Sequence, residues 1–227
     1  MNKASEISQT TSTEYSDDRY FTQLAASFVR GKLNHISPGL QSEEVIHAGL
    51  AAGLRLHKFK RNTELPRVRK VLGILQGLAP ESLLDVGSGR GTFLWPLVDA
   101  FPHLEVTAID MNPVRVADIN AVRVGGISGL RALEMDASEM QLADDYVDVI
   151  TMLEVLEHMP SPQKAALEAV RVARRFVVSS VPSKADDNPE HIHLFDKNGL
   201  ETLFLSAGAK SVRIEFVLNH MIAVAKV

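Results

Sequence analysis

Leu83-Leu84-Asp85-Val86-Gly87-Ser88-Gly89-Arg90-Gly91-Thr92-Phe93 decides how this chain folds. An apolar run ends in an aspartate, bends through three alternate glycines and enters a segment able to form a helix. That order is a first strand, a nucleotide-binding turn and a first helix in a doubly wound α/β sheet. Glycines suit such a turn because side chains would keep a ligand away from backbone N–H groups at the helix start. An ordinary glycine-rich turn has the same local spelling, so the rest of the chain must arbitrate.

Downstream, strand-like and helix-like segments alternate. Leu104–Ile109 reads as a strand ending at Asp110, Pro113–Val124 as a helix, and Gly129–Met135 as a short strand ending at Asp136. Val147–Met152 reads as a buried strand, Gln163–Arg175 as a helix rich in Ala and Leu, and Phe176–Val181 as another strand. Lys197–Ala207 is a helix stopped by Gly208. Val212–Val217 and Met221–Val227, separated by Asn219-His220, read as an antiparallel pair. The alternation predicts an α/β fold: a Rossmann-like, doubly wound, seven-stranded, mainly parallel sheet with an antiparallel last strand.

Upstream, residues 1–18 are rich in Ser, Thr and acids and read as a flexible tail. From Arg19 to Arg30, Tyr20, Phe21, Leu24, Phe28 and Val29 recur at helical spacing, and Gly31 closes the run. Ser42 with Glu43-Glu44 marks a second helix start, with Val45, Ile46, Leu50, Leu54 and Leu56 as its apolar positions. Leu65–Leu78 reads as a third helix with Pro66 in its first turn. Residues 19–63 are therefore expected to form an N-terminal helical cap over the glycine turn, ahead of a domain spanning 64–227. Between Arg55 and Lys70, seven basic residues (Arg55, Lys58, Lys60, Arg61, Arg67, Arg69, Lys70) accompany one acid, Glu64. This run is either a solvated face or an anion-binding edge.

Composition narrows the classes. With 45% hydrophobic and 23% charged residues the chain is an ordinary globular one. A net charge of −4 argues against a nucleic-acid binder that uses its whole surface. With no cysteine, thiolate metal sites and thiol nucleophiles are excluded. No run approaches membrane-spanning length, and the default expectation is a cytoplasmic protein.

In a doubly wound sheet ligands sit at the carboxyl ends of the strands. Asp85, Asp110 and Asp136 stand at three such ends. One of them alone reads as a helix cap; three in succession imply a shared site. Asp110 lies nineteen positions after Gly91, near the roughly 20-residue spacing of an acid that accepts from ribose hydroxyls. Thr92 stands where a dinucleotide fingerprint carries its third glycine, which disfavours a nicotinamide cofactor.

Leu84-Asp85-Val86-Gly87-Ser88-Gly89-Arg90-Gly91 resembles the first motif of the class I S-adenosylmethionine-dependent methyltransferases, and Ala108-Ile109-Asp110 resembles the second. Met135-Asp136-Ala137 resembles the third and Asp145-Tyr146-Val147-Asp148-Val149-Ile150 the fourth, so the resemblance covers residues 64–227. It implies that Gly87, Ser88, Gly89 and Gly91 let the backbone approach the methionine part of S-adenosylmethionine, with Asp85 ordering the turn. It implies further that Asp110 holds the ribose hydroxyls, Met111 packs on adenine, Asp136 accepts from the adenine amino group, and the Ala137 N–H reaches a ring nitrogen. Leu153 would line the methionine part. Arg67 stands where the quinone-pathway O-methyltransferases of this family carry an arginine that meets the methionine carboxylate.

A second constellation, Glu154-Val155-Leu156-Glu157-His158, follows the fourth strand. Read as a helical turn, spacings of three and four place Glu154, Glu157 and His158 on one side. Two carboxylates and an imidazole there suit Mg²⁺ or Mn²⁺, with a further ligand from His191-Ile192-His193-Leu194-Phe195. Glu-x-x-Glu-His with His-x-Phe resembles the terminal 2′-O-methyltransferases of small RNAs, although Asp196-Lys197 stands where those enzymes carry Glu-Trp. The metal-free reading leaves Glu154 shaping the pocket and His158 as a base. The metal reading takes Glu154, Glu157, His158 and His193 as ligands. His35, His47, His57, His103 and His220 have no partner in sequence and read as surface or core-edge residues.

Methyl transfer from a sulfonium is an in-line displacement governed by alignment, helped by a base when the acceptor is a hydroxyl. His158 is the expected base, followed by Glu154 and His193. O-methylation of a small molecule is the leading expectation. A metal-dependent RNA ribose 2′-O-methyltransferase and a non-catalytic regulatory module that binds S-adenosylmethionine are the alternatives. Oligomeric state has no signal in the sequence.

Overall fold

The computed structural model describes residues 21–33, 35–61, 65–185 and 187–227. The expected tail at 1–18, Tyr20 and Glu64 lie outside the described residues. The framework is one sheet of seven strands: β1 (Ser82–Val86), β2 (Glu105–Asp110), β3 (Leu130–Glu134), β4 (Val147–Leu153), β5 (Ala173–Pro182), β6 (Ser211–Val217) and β7 (His220–Lys226). They lie in the order β3-β2-β1-β4-β5-β7-β6. β1 to β5 pair in parallel, whereas β7 runs antiparallel to both β5 and β6. Strand order reverses between β1 and β4, and this opens a crevice at their carboxyl ends. β4 is buried along almost its whole length, which is why apolar residues predominate in it on both faces rather than alternating with polar ones.

Helices cover both faces: α1 (Thr22–Lys32), α2 (Ser42–Ala51), α3 (Pro66–Leu78), α4 (Leu94–Ala100), α5 (Pro113–Val124), α6 (Pro162–Val172) and α7 (Lys197–Ser206). One core joins Phe21, Phe28 and Phe59 of the N-terminal segment to Trp95, Leu83 and Val106. A second joins Leu84, Val86 and Ile150 to α6 and α7. α5 has the bounds expected from sequence for a local reason. The Asn112 side chain accepts from the N–H groups of Val114 and Arg115, and Pro113 occupies the first helical position.

Four expectations need correction. Gly31 does not close α1; it lies inside it, at a crossing where a Cβ would collide with the backbone carbonyl of Ala121 on α5. Gln41 rather than Ser42 caps α2, in a reciprocal capping box with Glu44, and Leu54 and Leu56 fall beyond the helix end. α6 stops at Val172, and Ala173, Arg174 and Arg175 belong to β5. Pairing of Ala173 with Val147, and a guanidinium–carboxylate bond from Arg174 to Asp148 at 2.8 Å, override the helical periodicity there. The hairpin turn is Leu218-Asn219, both with positive φ (21° and 62°), so His220 is a strand residue.

The basic run also disperses. Arg61 pairs with Asp99, Lys70 pairs with Glu215, and Arg67 turns toward Glu154. Arg55 and Lys58 face a separate cavity beside the glycine turn. The run is neither one solvated face nor one continuous edge.

Candidate active site

The glycine turn links the carboxyl end of β1 to α4. Asp85 is buried beneath it, with 2% of its surface exposed. One carboxylate oxygen accepts from Ser88 Oγ (2.6 Å) and the other from Thr151 Oγ1 (2.8 Å). Burial raises this carboxyl to about 6; the two hydroxyl bonds oppose the shift and neighbouring Asp110 adds to it. Ser88 is thus a fastening of the turn, and Asp85 is its anchor.

The three glycines have different reasons to be glycine. A Cβ on Gly91 would run into the Trp95 indole, and one on Gly87 would come within 2.7 Å of Val155. A Cβ on Gly89 would meet no protein atom nearer than 3.7 Å, because it would project into open space at the mouth of the crevice. The Gly89 N–H donates to Asp110 Oδ2 (2.8 Å), while Asp110 Oδ1 accepts from the Asn112 N–H (2.9 Å). Arg115 approaches the same carboxylate at 3.4 Å.

Two cavities meet at this turn. A groove of about 800 Å³ runs over the ends of β1, β2 and β4 and past the β3 end, lined by Asp110, Met111, Asp136, Ala137 and His158 among others. Met111 is 68% exposed on its rim. Asp136 is held by the N–H and hydroxyl of Ser138, both at 2.8 Å. A smaller cavity of about 150 Å³ lies on the other side, lined by Arg67, Asp85, Ser88, Leu153 and Glu154. Gly87, Gly89 and Glu154 border both. The elongated site therefore has an acid and a thioether at one end and an arginine at the other.

The expected convergence of Glu154, Glu157, His158 and His193 does not occur. Glu154 has φ +57°, a left-handed conformation that breaks the helical spacing, and only Leu156–His158 form a short 3₁₀ turn. Glu154 instead accepts from Ser180 Oγ (2.7 Å) and lies 3.0 Å from His220 Nε2 and 3.9 Å from Arg67 Nε. Glu157 is fully buried, and its backbone carbonyl accepts from the N–H groups of Ile192 and His193. His193 Nε2 faces the carbonyl of Met159 at 2.9 Å. The ligand atoms brought within 4.8 Å of one another belong to Glu157, His158 and His191; His191 stands where His193 was expected.

His158 is well placed for proton chemistry. Its Nδ1 lies 2.9 Å from the Glu190 carbonyl, which can only accept, so Nδ1 carries the proton and Nε2 is the basic nitrogen of the neutral ring. His220 is the residue that sequence reasoning missed. It lies 66 positions from Glu154, and only the antiparallel β7, registering His220 against Pro182, brings it to this edge of the sheet.

Residues 84–176 match the family model described as a methyltransferase domain. Over these residues the chain is similar to methyltransferase domains. Across 100 residues the chain is 32% identical to a ubiquinone biosynthesis O-methyltransferase of Pseudomonas savastanoi pv. phaseolicola, a match covering 43% of this chain and 42% of that protein. The match thus spans less than half of the curated relative. Among solved structures, a methyltransferase from Aquifex aeolicus superposes with a TM-score of 0.56 at 24% identity, over 73% of this chain and 92% of the other. A magnesium protoporphyrin IX methyltransferase from Synechocystis gives 0.56 at 17% identity, over 70% and 81%. These likenesses show the fold.

Of the three turn glycines, Gly89 is the one whose Cβ would meet no close protein atom, and that open space is what S-adenosylmethionine would need in order to lie against the turn. No helix of the described residues is long and apolar enough to cross a membrane.

Proposed function

We propose that this chain transfers a methyl group from S-adenosylmethionine to an oxygen of a small molecule, with His158 as general base. When bound, the cofactor supplies a sulfonium methyl carbon. Asp110 and Met111 would hold its adenosine, and Asp136 and Ala137 the adenine edge. Arg67 and Leu153 would hold the methionine end. The observation that carries the base assignment is that His158 lines the large groove, with Nδ1 committed to the Glu190 carbonyl and Nε2 left as acceptor. An imidazole so placed can take a hydroxyl proton as the oxygen attacks. The O-methyltransferase name of the Pseudomonas relative supports oxygen as the acceptor atom.

Should Mg²⁺ or Mn²⁺ bind, Glu157, His158 and His191 offer the donors, and a hard cation there would weaken the acceptor's hydroxyl bond. Calorimetric titration with S-adenosylhomocysteine, with and without Mg²⁺, tests the cofactor first and the ion second. A panel of phenols and catechols then tests transfer. His158→Ala should lower kcat by at least about a hundredfold near neutral pH. Full turnover by that variant across pH 6–9 would overturn the base assignment. Tight binding with no transfer to any acceptor would favour a regulatory module.

A further inference from the structure

We propose that the cavity between the N-terminal helices and the glycine turn binds the anionic group, phosphate or carboxylate, of a small molecule that lies against the turn. The cavity holds about 520 Å³ and is walled by Lys32, Arg55, Lys58, Arg90 and Arg115, with Asp118 the one carboxylate among its described lining residues. Lys32 and Lys58 share Asp118, and Arg115 leans toward Asp110. Burial alone would raise the Asp118 carboxyl, but hydrogen bonds from Lys58 and Lys32 hold it below the usual carboxylate range. It therefore stays ionised and still neutralises only one of the two ammonium groups. Arg55 and Arg90 have no carboxylate partner among the described residues.

Among these cations Lys58 is the one most withdrawn from solvent. Lys58 is 16% exposed, and its ammonium lies 4.4 Å from the centre of the Phe28 ring. Partly desolvated cations are less screened and attract an anion more strongly than solvated ones. Geometry also selects the class of ligand. Arg61, Arg67 and Lys70 turn to carboxylates elsewhere, so the cations enclose a pocket instead of tracking a polynucleotide backbone. Gly89 and Arg90 border both this cavity and the small cavity at the methionine end, so an anion bound here touches the cofactor turn. The inference does not depend on which atom is methylated.

Trp95 is the sole tryptophan, and its indole N–H donates to the Arg90 carbonyl at 2.9 Å, so its emission reports on this cavity. The full chain without cofactor would be titrated at constant ionic strength with inorganic phosphate and, separately, with phenyl phosphate. Each should give a saturable emission change that sodium chloride does not. The exposed Arg55→Gln and Arg90→Gln should each weaken binding about tenfold, and Asp118→Asn should tighten it. Tighter binding of phenyl phosphate assigns the anion to an organic ligand; equal affinities assign it to the free ion, and both support the site. A change reproduced by chloride, affinities untouched by the two arginine variants with circular dichroism intact, or preferential binding of a single-stranded oligoribonucleotide would overturn it. Titration with S-adenosylhomocysteine is read separately, so failure here leaves the cofactor reading standing.

Discussion

Asp85 holds its carboxyl group out of water beneath the glycine turn. Its carboxyl sits at about 6 against an ordinary 3.8, mainly because burial penalises the charge. The sign follows from proton counting. Between those two values the folded chain keeps a proton that the unfolded chain has released, so this group's contribution to stability falls as pH rises from about 4 to about 6. Below that window both forms are protonated, and above it both are ionised. A shift of this size corresponds to roughly 3 kcal/mol. In Asp85→Asn this slope should vanish, so urea unfolding of the two proteins should diverge in favour of the variant by up to that amount across the window. Parallel curves would show that Asp85 does not titrate there. Glu154 and His220 belong to the same scale: a left-handed glutamate is held by a serine, a histidine and a nearby arginine at the tip of β4.

Among the elements, the crossing of α1 on α5 shows how glycine is used for approach rather than for bending. Gly31 faces the Ala121 carbonyl and Gly125 faces the Ser27 carbonyl, so both helices come close enough for backbone contact. Gly31→Ala has no flexible neighbour to displace and should cost about 1–3 kcal/mol. Gly73→Ala in α3 meets nothing within 4 Å and should add about 0.5–1 kcal/mol, because a helical glycine gives up backbone entropy for no packing return. Thermal unfolding of the two variants should move in opposite directions. Equal gains would mean that helix propensity, not the crossing, governs both. α5 was legible to the residue because Asn112, Pro113 and the Val124-Gly125 boundary act within a few positions. The α6–β5 boundary was not, because its decisive partners, Val147 and Asp148, come from another strand.

At the scale of the molecule, the N-terminal segment shares one core with the sheet, through Phe28, Phe59 and Trp95 with ring centres 5.3 Å and 5.0 Å apart. The cap expected at 19–63 should therefore unfold with the rest in a single transition; two resolved transitions would restore it as a separate unit. S-Adenosylhomocysteine at 100 times its dissociation constant should add about 2.7 kcal/mol, raising the melting temperature by about 5–10 °C. No shift at any concentration would remove the cofactor from this groove.

The amino-acid sequence by itself determined the order of strands and helices, the glycine turn and the three aspartates at strand ends. Those signals are periodicities, caps and turn residues that act over a few positions. Only the tertiary structure decided that Gly31 is a contact and not a stop, that Glu154 turns away from Glu157 toward His220, that His191 rather than His193 stands beside Glu157 and His158, and that Arg55 and Lys58 of the dispersed basic run meet Lys32, Arg90 and Arg115 around one cavity. Each of these depends on which elements lie side by side and which way they run, and Glu154 finds His220, 66 positions away, only once the sheet has formed.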